Sequence, residues 1–114
     1  MLLNLFPKLE TLDLSSCNSQ TFIDFLGLFC PNLKTLYINY AQLTNESLLK
    51  IAQMLPKLRV IFADCNQITN EGVLEFLQLH SNIVFMSFKN NSITHEMGTK
   101  IQVNMAFNGG YMEF

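Results

Sequence analysis

Apolar residues recur along the chain in the rhythm L-x-x-L-x-L, first placed at Leu9, Leu33, Leu58 and Ile83, at intervals of 24, 25 and 25 residues. Set in register, the four stretches read LETLDLSSCN, LKTLYINYAQL, LRVIFADCNQI and IVFMSFKNNSI. Leu12, Leu36, Ile61 and Met86 form a second apolar file, and Leu14, Ile38, Ala63 and Phe88 a third. Alternation with period two predicts a strand with one buried face. Each strand is too short to be stable alone, so successive strands are expected to pair in parallel.

The pattern then changes period. Cys17, Ala41, Asn66 and Asn91 share a turn column, where an Asn side chain can bond backbone groups left unpaired by the bend. Leu43, Ile68 and Ile93 follow, and after them Thr44, Thr69 and Thr94 suit helix N-caps, with Glu46, Glu71 and Glu96 in the first turn. Leu48, Leu49, Ile51, Ala52 and Leu55 then have helical spacing, as do Val73, Leu74, Phe76 and Leu77. Pro7, Pro31 and Pro56 stop each helix before the next strand. A repeat of this length, strand then helix, predicts an α/β solenoid: a parallel inner sheet of about four strands with helices outside, in which neighbouring units share one core. Helices are wider than strands, so the sheet face is expected to be concave.

Residues 1–114 read as a single domain, with repeats near 9–32, 33–57, 58–82 and 83–107. Residues 1–8 align with 50–57 and form a partial unit, whose Leu2, Leu3, Leu5 and Phe6 have no polar cap. Solenoids need such caps, so the expectation is a fragment of a longer array, with a minimal cap as the alternative. Gly98 and Thr99 replace Val73 and Leu74, which predicts a weaker fourth helix. Asn108-Gly109-Gly110 is a turn, making residues 108–114 a C-terminal cap with at most a short edge strand.

The segments CPNLKTLYI at residues 30–38, LPKLRVIFADCNQITNEGV at 55–73 and ITHE at 93–96 resemble leucine-rich repeats, most closely the cysteine-containing subtype of F-box substrate adaptors. The resemblance covers residues 1–107. It implies a right-handed leucine-rich repeat solenoid, and a parent protein of the F-box type that selects substrates for ubiquitination.

Composition narrows the function. The chain is 49% hydrophobic and 14% charged, with net charge -2 and no basic stripe, which argues against a nucleic-acid surface. No apolar run approaches the ~18 residues needed to span a bilayer. The first eight residues lack a basic n-region and meet Pro7 and Lys8 early, unlike a signal peptide. Cys17, Cys30 and Cys65 contain no C-x-x-C pair and are expected to be buried, reduced thiols, pointing to cytoplasm or nucleus.

Catalytic patterns are lacking. His95-Glu96 begins like a zinc motif but has no second His one turn later, and His80 sits at a helix end. No Ser or Cys has a nucleophile-elbow setting. No cofactor or metal is expected. Between the apolar files, three columns should face outward on the sheet: Thr11, Thr35, Val60 and Phe85; Asp13, Tyr37, Phe62 and Ser87; Ser15, Asn39, Asp64 and Lys89. Tyr37 and Phe62 should be neighbours, Phe85 diagonal to them, and Tyr40 just beyond. With Asp13, Asn39, Asp64 and Lys89 as a polar rim, this is the expected partner-binding face of a non-catalytic protein-interaction module. The alternative is self-assembly, possible as a homodimer, through the apolar N-terminal end.

Overall fold

The architecture follows from stacking short strands that cannot pair with themselves. A computed structural model describes residues 5–17 and 20–114, apart from the side chains of Gln20 and Thr21. Five strands, β1 (Thr11–Asp13), β2 (Thr35–Tyr37), β3 (Val60–Phe62), β4 (Phe85–Ser87) and β5 (Tyr111–Glu113), lie in sequence order in one parallel sheet. Leu12 pairs with Leu36, Leu36 with Ile61, Ile61 with Met86 and Met86 with Met112, so the second apolar file is one straight row. The expected sheet of about four strands gains β5. After the Asn108–Gly110 turn, with Gly109 at φ 79°, Tyr111 hydrogen-bonds through its N–H to Val84 O at 2.9 Å.

Leu33, Leu36, Ile38, Leu58, Ile61 and Ala63 are completely buried between sheet and helices. Leu9, Leu12 and Leu14 are only partly buried, because β1 is the sheet edge. The backbone ladder runs past the strands: Leu14 N–H donates to Tyr37 O (2.8 Å), Ile38 N–H to Phe62 O (2.7 Å) and Ala63 N–H to Ser87 O (2.8 Å).

The helices are α1 (Gln20–Ile23), α2 (Leu26–Phe29), α3 (Asn45–Met54), α4 (Asn70–Leu79) and α5 (His95–Phe107). The first repeat thus carries two four-residue pieces where later repeats carry one helix. Thr44 caps α3 by accepting from Ser47 N–H at 3.3 Å, and Thr94 caps α5 by accepting from Met97 N–H at 3.3 Å. Thr69 differs from the expected cap. Its side chain makes no cap bond to its own helix; its hydroxyl accepts from Asn45 Nδ2 at 2.7 Å, while its N–H donates to Asn45 Oδ1 at 3.0 Å. Asn70 holds Thr94 by the same two bonds, at 3.1 and 3.0 Å. The first residue of one helix therefore fixes the start of the next.

The weak fourth helix expected from Gly98 is a 13-residue helix. Glycine is needed there because the Phe114 ring lies where a Cβ would project. The propensity loss is offset by packing of Phe114 against the core.

The turns after β2 and β3 are each closed by an amide from the following repeat. Asn66 Oδ1 accepts from Ala41 N–H (3.0 Å) and Leu43 N–H (2.8 Å), and its Nδ2 donates to Ile38 O (2.9 Å) and Ala63 O (3.1 Å). Asn91 repeats the motif with one backbone donor, Ile68 N–H, at 2.9 Å. Removing the Asn66 amide strands two donors and an acceptor in a half-buried turn. Asn66→Ala is therefore expected to destabilise by about 2–4 kcal/mol in urea unfolding, and Asn91→Ala by less. Equal, small losses at both sites would mean that water replaces these bonds.

Candidate protein-binding face

Among the described residues the helices pack on one side of the sheet, and the alternation of the strands leaves Thr11, Asp13, Thr35, Tyr37, Val60, Phe62, Phe85, Ser87, Tyr111 and Glu113 on the other. Tyr37 and Phe62 are directly paired, and their rings stack at 4.6 Å with planes 4° apart. In the next strand the aromatic residue moves to the lower row, and Phe85 lies diagonal to Phe62 at 5.1 Å. Tyr111 pairs with Phe85 in register, its ring 6.0 Å away. Four rings from four adjacent strands thus form one unbroken row. Tyr37, Phe62 and Phe85 shield one another and are half-buried, whereas Tyr111 is 53% exposed.

Tyr111 is absent from the site predicted by sequence. Its strand lacks the L-x-x-L start of the other four and follows a glycine turn, so the column could not be extended by pattern alone. The available signal was the spacing: Tyr111 lies 26 residues after Phe85, close to the repeat interval.

The polar rim is less free than the sequence implied. Ser15 Oγ accepts from Asn39 N–H (3.0 Å), Asn39 Oδ1 from Asp64 N–H (2.7 Å), and Asp64 Oδ1 from Lys89 N–H (2.8 Å). This column is a ladder in which each side chain holds the backbone of the next repeat. The cross-strand Asp64–Lys89 pairing is made through the Lys89 backbone; the ion pairs among the described residues are Lys34–Glu10, Lys50–Asp24 and Lys100–Glu96. Ser87 is buried on the open face, and its hydroxyl donates to Asp64 Oδ1 at 2.6 Å. Asp13 accepts from Ser15 N–H at 2.9 Å, a bond that holds its carboxyl below the usual aspartate value.

Tyr40 stands at the lip of the row, 66% exposed. It occupies the left-handed region, φ 55°, as do Ser16, Cys65 and Asn90 at the equivalent turns (φ 62°, 58° and 57°). That conformation costs a non-glycine residue about 1–2 kcal/mol. The Tyr40 phenol contacts the Cys65 thiol, which raises its pKa above the ordinary tyrosine value, and the nearby Asp64 charge adds to the shift. Tyr40, Gln42, Cys65, Asn66, Gln67 and Asn90 line a shallow cavity of ≈ 390 Å³ beside the row.

The cysteines depart from the expected uniform burial. Cys30 is buried, and desolvation pushes its thiol pKa up; Cys65 is half-buried; Cys17 is exposed, in the turn after the edge strand β1. His80 is buried at the end of α4, in the column of Cys30 and Leu55, with Nε2 2.7 Å from Leu55 O. It is a core residue of the column. His95 stands at the start of α5 with its ring 6.1 Å from Phe114. Among the described residues no three His, Cys, Asp or Glu side chains converge as a metal site, and no helix is long and apolar enough to cross a membrane.

A family model described as Leucine Rich repeat matches residues 29–52, from the end of the first repeat into α3. The fold class is α/β, one parallel sheet with helices, and together with this match it is compatible with a leucine-rich repeat solenoid. Such repeats generally bind protein partners and are generally not enzymes. No curated protein matches the chain.

Tyr40 tests whether exposed aromatic character is kept here against backbone strain. Tyr40→Gly is expected to raise stability by about 1 kcal/mol in urea unfolding, because glycine adopts φ 55° freely. A loss of that size would instead make Tyr40 a packing residue.

Proposed function

We propose that this chain is a non-catalytic recognition module that holds a protein partner on the open, concave face of its sheet. The observation carrying the reading is the row Tyr37, Phe62, Phe85 and Tyr111, left without a covering layer and extended at its lip by Tyr40. Contiguous aromatic rings are the residues most often responsible for binding energy at protein interfaces, and a polar surround excludes water from them. Asp13 and Lys89 belong to that surround, and Asn39 and Asp64 join it through side chains that also carry the inter-repeat bonds.

By its resemblance to the cysteine-containing repeats of F-box adaptors, the partner is read as a substrate presented for ubiquitination. The free thiols of Cys17, Cys30 and Cys65 support a reducing compartment, cytoplasm or nucleus.

Tyr37→Ala combined with Phe62→Ala is expected to weaken partner capture by about 100-fold or more, while the lost stacking lowers stability by only about 1 kcal/mol. Affinity capture from cell extract beside the double variant, with thermal melts of both proteins, makes the comparison. Partners retained equally by the double variant would reject this face.

A second reading has its own observation. Leu5, Phe6, Leu9, Leu12, Phe22 and Leu26 are among the residues lining a wholly apolar groove of ≈ 400 Å³ at the β1 edge, and Phe6 is 57% exposed. Two copies could bury these grooves against each other. Leu2 and Leu3, assigned to the same surface by sequence, lie outside the described residues. Sedimentation separates the readings: self-stacking requires a dimer that Leu5→Glu dissolves, and a monomer at high concentration excludes it.

A further inference from the structure

The rings do not lie in a neutral field. Asp13 flanks Tyr37 in the upper ring row, and Glu113 ends the same row beyond Ser87. Asp64 stands above Phe62, two residues past the end of β3. Over the three outward rows the charged groups are thus Asp13, Asp64 and Glu113 against Lys89. Lys34 and Arg59 come one residue before the lower row, at the rim, and Lys34 is paired with Glu10 at 3.3 Å. The Ser15 N–H keeps the Asp13 carboxylate ionised well into acid solution.

Resting on the interaction reading above, we propose that the aromatic row docks a basic segment of a protein, with Arg or Lys side chains laid over the rings and paired with Asp13, Asp64 and Glu113. The faces of aromatic rings attract cations, and guanidinium groups stack on them. Carboxylates at both ends of the row neutralise cations that extend past the rings. A neutral or acidic segment would lack partners for these carboxylates, and an acidic one would be repelled by them. Four rings on neighbouring strands span roughly 15 Å, the reach of four or five extended residues, so a short linear segment matches the row in length.

The test is a display library of random 12-residue peptides, selected separately on wild type, on Asp13→Asn with Glu113→Gln, and on Tyr37→Ala with Phe62→Ala. The first pair of substitutions keeps shape and the Asp13 acceptor while removing two charges. The expected wild-type pool is enriched in Arg and Lys over the starting library. Peptides from it should bind the charge variant about tenfold more weakly, and the loss should shrink in high salt. A wild-type pool without basic enrichment, whose binding is lost on the aromatic double variant, overturns the basic partner and leaves the concave-face reading standing. A pool bound equally by the aromatic double variant, or no pool above background, overturns both.

Discussion

Everything in this molecule depends on each unit satisfying the backbone of its neighbour. A strand of three residues makes too few bonds to persist alone, and the sharp turn after it strips further N–H and C=O groups of partners. Here the next repeat supplies them. Asn66 and Asn91 reach back into the turn before their own, Asn39 and Asp64 take the N–H one strand onward, and Asn45 and Asn70 fix the following helix start. Short polar side chains with rigid reach are suited to this, because a repeat interval of 25 residues returns the same geometry each time. The apolar files supply most of the burial, but these amides set the register in which the files line up.

That constraint divides the open face into two kinds of position. The row of Ser15, Asn39, Asp64 and Lys89 lies next to the turns and is largely committed to inter-repeat bonds. The two rows below it carry side chains the ladder does not require, since their strands are already paired through backbone groups. Variation is therefore cheap there, and that is where the rings are found. The two kinds meet at Asp13, whose carboxylate accepts from Ser15 N–H, and at the buried Ser87, whose hydroxyl ties the upper ring row to Asp64.

The apolar files were legible in the sequence because burial in a stacked array is a one-dimensional signal, repeated at a fixed interval. The Tyr37, Phe62 and Phe85 cluster was legible for the same reason: register follows from the files, and neighbours follow from register. What escaped was information carried by only one unit. β5 has no leading L-x-x-L, so Tyr111 went unassigned. Cys17 holds the same column as buried Ala41 yet is exposed, in the turn after the edge strand β1. Asn39 and Asp64 point toward the open face and read as surface. Their commitment to a neighbour's N–H shows only when the neighbour's backbone is in place. Thr69 looked like Thr44 and Thr94, yet its hydroxyl makes no cap bond, whereas that of Thr94 accepts both from Asn70 and from Met97 N–H.

The placement of the rings bears on whether they serve the fold or a partner. Cross-strand aromatic pairs do stabilise sheets, and Tyr37 with Phe62 is such a pair. Stability alone does not account for the row. In the lower row Thr11, Thr35 and Val60 form β1, β2 and β3 without any ring, so Phe85 and Tyr111 are not required for strand formation in β4 and β5. The shift from upper to lower row between β3 and β4 carries the rings around Ser87 without a break. Two separate stacked pairs would have given the sheet the contacts Tyr37–Phe62 and Phe85–Tyr111, and the Phe62–Phe85 contact joins them into one row. The continuous strip, exposed at its Tyr111 end and bordered by carboxylates, offers a long flat surface to something laid across it.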